Sequence, residues 1–137
     1  MNLRRIVCSA LLVLGLGSAA WARDVCLEFS GDNFLVLRKV KTLHPGGSVP
    51  LNGFLYDKTF PNPSVAPVEG SAVMKADGTV LVGLFVHNLA ESSNNYTLEW
   101  TTDMTFAGSV KFDNDGDFLS NGAVMYHPID CKSVPLP

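Results

Sequence analysis

The residues with most chemical potential stand at Asp113-Asn114-Asp115-Gly116-Asp117, which spaces three carboxylates at alternate positions. An EF-hand calcium loop opens in this way but needs glycine at its sixth position and a bidentate acid at its twelfth. Phe118 and Val124 occupy those positions, so the match fails twice and leaves room for a weak surface calcium site at most. A shorter version, Lys75-Ala76-Asp77-Gly78-Thr79, keeps only the Asp-Gly pair, which is turn chemistry rather than ligation.

Other catalytic patterns are weaker still. His44, His87 and His127 form no H-x-H or H-x-x-x-H pair that would aim two rings at one ion, so hydrogen-bonded structural histidines are expected before metal ligands. There is no G-x-S-x-G nucleophile elbow, no phosphate-cradling glycine loop and no dinucleotide fingerprint. Nothing singles out two of the thirteen acids as a glycosidase pair. Asn95-Tyr96-Thr97 is a glycosylation sequon, of consequence only in a eukaryotic host. The expectation is a protein that is not an enzyme and carries no metal and no cofactor.

Four aromatic residues form a more promising set. Tyr96 and Trp100 lie on one β-rich run, and Phe106 and Phe112 on the next. If the two runs pair antiparallel, all four face one side, where they either line a cavity for an apolar or sugar ligand or fill a packed core.

The elements that must position them read as β throughout. Short β-rich runs alternate with Gly, Pro, Asn and Asp clusters, and strands are expected near 25–30, 33–41, 49–56, 68–75, 79–88, 95–102, 105–113 and 117–127. The run 79–88 is apolar on both faces and should be central and covered on each side. Asp77-Gly78 and Asp115-Gly116 mark two hairpins and a weak repeat of period 38, because Gly70-Ser71 and Gly108-Ser109 precede them at equal distance. That repeat is either a duplicated binding unit or shared turn grammar. The long connections 42–50 and 57–67, rich in Gly and Pro, are candidate interaction surfaces.

Residues 1–22 read as a secretory signal peptide. Arg4 and Arg5 precede an apolar run from Ile6 to Leu16, and Ala20-Trp21-Ala22 offers a cleavage site. The remaining 23–137 would be a single domain holding eight Lys and Arg against thirteen Asp and Glu, a charge of −5. Such an acidic domain, without a basic run, is a poor nucleic-acid binder. No stretch after the signal could span a membrane as a helix.

Cys8 leaves with the signal, and Cys26 and Cys131 remain to form one disulfide in an oxidising compartment. A bond between residues so near the two ends implies a fold that closes on itself. The expected fold is a small antiparallel meander barrel of about eight strands, with a β-sandwich as alternative. The expected role is that of a secreted or periplasmic binding module with a small apolar or carbohydrate ligand in the barrel mouth. The alternative is a protein-interaction module, an exported inhibitor or accessory subunit, using loops 42–50 and 57–67.

Overall fold

A computed structural model describes residues 21–30, 32–58, 64–87, 96–114 and 122–135. Eight strands follow one another as β1 (Arg23–Ser30), β2 (Asn33–Val40), β3 (Ser48–Asp57), β4 (Ser64–Met74), β5 (Val80–Val86), β6 (Tyr96–Thr102), β7 (Gly108–Asn114) and β8 (Gly122–Ile129). Each pairs antiparallel with the next, and β1 pairs with β8 through Cys26 opposite Ile129 and Glu28 opposite His127. The sheet is a closed barrel in meander order. Closure leaves no edge strand with unpaired N–H and C=O groups, which is how an all-β chain of this size avoids edge-to-edge association.

Period-2 alternation produces the interior. Val25 and Leu27, Leu35 and Leu37, Val49 and Leu51, Val80 to Val86 in steps of two, and Leu98 and Trp100 all turn inward and are buried. Among the described residues no charged group is buried. Neighbouring strands come very close over Gly53 and Gly70. A Cβ on Gly53 would stand 1.8 Å from the Val36 carbonyl oxygen, and one on Gly70 1.9 Å from that of Gly83. Only glycine lets the neighbouring strands approach so closely.

Cys26 and Cys131 are joined, with Cα atoms 5.2 Å apart across a separation of 105 residues. After β8, Asp130 caps a short 3-10 turn by accepting from the Lys132 amide. The segment then runs outside the barrel. Val134 and the disulfide cover a second, outer cluster made by Phe34, Val36 and Tyr56, with Phe34 and Tyr56 stacked at 6.2 Å.

This outer cover corrects one expectation from the sequence. The strand covered on both faces is β2, whereas β5, apolar on both faces, exposes Leu81 (39%) and Phe85 (36%). In a closed ring of eight strands β5 lies opposite β1, and the disulfide holds the covering segment on the β1 side.

Three strand boundaries also differ from expectation. β4 starts at Ser64, although it contains Pro67. The Pro67 carbonyl accepts the His87 amide just beyond the end of β5. N–H and C=O of one residue point to the same side of an antiparallel strand, so the missing donor also faces that side and costs the β3–β4 ladder nothing. β7 starts at Gly108 rather than 105, because Phe106 turns to a left-handed φ of 64°. β8 runs Gly122–Ile129, and residues 117–121 lie outside those described.

Candidate functional site

An up-and-down meander sends alternate connections to opposite ends. Connections 41–47, 75–79 and 103–107 gather at one end, and β1–β2, β3–β4, β5–β6 and β7–β8 join at the other. The first end is sealed. Leu43 tucks into the core, Gly46 N–H donates to the Met74 carbonyl (2.8 Å), and Met74 N–H returns a bond to Gly47 (3.0 Å). Arg23 Nη2 reaches across to the Met104 carbonyl (2.6 Å).

The main plug is Phe106, 1% exposed and held in its left-handed conformation by the turn around it. Asp103 Oδ1 accepts from both the amide and the hydroxyl of Thr105, and Thr102 Oγ1 donates to the Ala107 carbonyl. The hydroxyl bond first, then the amide bond, holds the Asp103 carboxyl below its ordinary range. Trp100 Nε1 donates to the Phe106 carbonyl (2.9 Å), satisfying the buried indole.

The opposite end differs. Phe29, Leu55, Ala66, Tyr96 and Val124 point inward and pack on the core, yet each remains partly exposed. All five lie in the strand halves next to that end. Beneath them Tyr126 is 2% exposed; its ring meets Phe29 edge-on at 5.4 Å and stacks over Trp100 at 6.3 Å. Ring contacts therefore run from Phe29 through Tyr126 to Trp100, whose indole N–H reaches the Phe106 carbonyl at the sealed end. Burial first, and the neighbouring Tyr96 second, push the Tyr126 phenol well above its ordinary pKa, so it stays protonated.

The four aromatic residues singled out in the sequence thus divide. Tyr96 stands at the mouth, while Trp100 (5% exposed) and Phe106 belong to floor and plug. Phe112 pairs through its backbone with Leu98 and Gly122, and its side chain lies outside those described. The sequence reading missed Tyr126 and Phe29. The alternation Val124–Tyr126 on β8 and Val25–Leu27–Phe29 on β1 carried the signal.

The histidines do not converge. His44 is on the sealed end, His127 is exposed on β8, and His87 Nε2 lies 3.0 Å from Glu69 Oε1 with its ring edge-on to Phe85 at 4.6 Å. Among the described residues no group of three His, Cys, Asp or Glu could hold a metal. Asp115-Gly116-Asp117 lies outside the described residues. Its connection joins β7 to β8 at the mouth end, whereas Asp77-Gly78 turns β4 into β5 at the sealed end, so the period-38 repeat does not superpose two equivalent units. Loops 42–50 and 57–67 likewise leave from opposite ends, and each overlaps strand, since β3 begins at Ser48 and β4 at Ser64. Among the described residues no helix is long and apolar enough to cross a membrane. No protein-family model, curated protein or solved structure matches the chain.

Proposed function

We propose that the protein is an exported, non-catalytic binding module that holds a small apolar ligand in the open end of its barrel. One observation carries this reading: inward-facing side chains are partly exposed at one end and sealed at the other. A barrel that only needed a core would bury both ends alike. The lining favours an apolar ligand over a carbohydrate, because sugar hydroxyls need several hydrogen-bonding partners and the described interior is almost wholly aliphatic and aromatic. Export is supported by the leader-like segment 1–22 and by a disulfide suited to an oxidising compartment. The protein-interaction alternative has less support, since its two loops face opposite ways.

N-Phenyl-1-naphthylamine, a neutral apolar dye, tests the reading. Ala66→Trp would fill the mouth from the β4 wall. The dye is expected to bind the unmodified protein saturably, with at least about a tenfold loss in Ala66→Trp and no loss of β structure by circular dichroism. Absence of binding, or equal binding to the filled mouth, would rule the reading out.

A further inference from the structure

After β8 the chain crosses the outer face of the barrel, and its hold there is narrow. Within residues 131–135 Val134 is buried and Cys131 half-buried, while Lys132, Ser133 and Pro135 are exposed. The turn is closed by its own hydrogen bonds: Lys132 N–H donates to Asp130 Oδ1 (3.0 Å), Ser133 N–H to the Asp130 carbonyl (2.8 Å) and Val134 N–H to the Cys131 carbonyl (3.3 Å). The Cys26–Cys131 bond and the Val134 side chain tie that turn to the strands beneath. Burial of one valine and of the surface under it is set against the conformational entropy of the whole ordered turn, so the covalent bond decides whether the cover stays down.

Beneath the cover lie Phe34, Val36 and Tyr56, each 3% exposed. Their neighbours Leu35, Leu37 and Leu55 face the core, so strand alternation turns these three outward. Outward apolar side chains on β4 and β5 are open by contrast, with Val73 at 41%, Leu81 at 39% and Phe85 at 36%. The cover is what buries the outer trio. The barrel has its own ties at this place: β1 pairs with β2 from Arg23 to Val40 round to Ser30 and Asn33, and with β8 from Cys26–Ile129 to Glu28–His127. Val25 and Leu27 from β1 and Tyr126 from β8 are anchored in the core.

We propose that the Cys26–Cys131 disulfide is a redox latch: a dithiol reductant opens it, releases residues 131–135 and uncovers Phe34, Val36 and Tyr56 while the barrel stays closed. Cys26 is enclosed and Cys131 meets solvent, so the incoming thiolate attacks the Cys131 sulfur. A mixed disulfide forms at Cys131 as the bond to Cys26 breaks, and the electron pair leaves on the Cys26 sulfur, which takes up a proton. The second thiolate of the reductant then displaces the Cys131 sulfur, which is protonated in turn, and the reductant departs as its own disulfide. Two electrons pass from dithiol to protein. The latch is independent of the ligand-binding reading above.

Side-chain NMR of the labelled protein before and after treatment with dithiothreitol tests it, with full reduction verified by mass. The Val134 methyls should move to their random-coil positions, and the Val36 methyls and the Phe34 and Tyr56 rings should shift, while Val82, Leu84 and Val86 keep their folded positions. The double variant Cys26→Ala, Cys131→Ala should show the reduced pattern without reductant. Reaction with the monothiol glutathione, quenched early, should place the adduct on Cys131. Unmoved Val134 and Val36 signals after full reduction overturn the latch. Loss of all folded signals on reduction also overturns it and makes the bond a staple for the whole barrel. An adduct on Cys26 overturns the proposed step. Reduction of the unmodified protein decides the matter even if the double variant does not fold.

Discussion

Phe106 holds a φ of 64°, a conformation that costs a bulky residue of order 1–3 kcal/mol. The cost is tolerated because the same backbone turn inserts the ring into the barrel end and presents its carbonyl to Trp100. Phe106→Ala should therefore destabilise the protein by about 3–5 kcal/mol in urea unfolding, less whatever the strain returns. A loss under about 1 kcal/mol would mean that the ring is not the plug. Asp24 provides a pH-dependent counterpart. It accepts the amide of Lys39, itself at φ 49°, and pairs with Arg38 Nη1 at 3.1 Å. The Lys39 amide bond is the main reason its carboxyl lies below the ordinary 3.8. A depressed folded pKa stabilises above 3.8 and is lost as pH falls through the lower folded value. Asp24→Asn should thus be less stable than the parent at pH 7 and match it near pH 2, in paired thermal melts. A gap constant with pH would refute that assignment. At this scale Tyr96 and Trp100 could be read from the strict alternation of 96–101. The roles of Phe106 and Tyr126 could not, because one depends on a turn conformation and the other on which distant strands close the ring.

Strands are legible where turn chemistry is strong. Asp77-Gly78 fixes the β4–β5 turn, with Gly78 at φ 86° and Asp77 accepting the Thr79 amide. Boundaries slip where proline argues against a strand, as at Pro67, or where a turn borrows residues that alternate like a strand, as in 105–107. The covered strand was misassigned because two apolar faces show that a strand is buried only if a second layer exists. Here that layer is a few C-terminal residues tied to β1. Glycines in these strands divide by what lies over them. Gly53→Ala places a methyl against the Val36 carbonyl oxygen and should lower stability by about 1–3 kcal/mol. Gly83→Ala points a methyl into open space on β5 and should be neutral or stabilising by up to about 1 kcal/mol. Equal effects in denaturant titrations would show that the β2 backbone does not crowd Gly53.

The whole molecule is a ring with unlike ends. The disulfide closes a loop of 105 residues, worth about 4–5 kcal/mol in the chain-entropy picture, and its position near both termini made closure legible before any strand was placed. What one chain's sequence does not reveal is polarity: which connections share an end, and which end is sealed. That follows only from counting strands in the closed meander, and it separates the repeat and the two loops into opposite halves. If the end where inward side chains stay partly exposed holds a ligand, as proposed, that ligand must touch Phe29, Leu55, Tyr96 and Val124. Side-chain NMR of the labelled protein titrated with N-phenyl-1-naphthylamine tests it most directly. Saturable shifts are expected at the Leu55 and Val124 methyls and the Phe29 and Tyr126 rings, with Val73 and Leu81 on the outer face unmoved. Shifts confined to that outer face, or to the 103–107 turn, would contradict it.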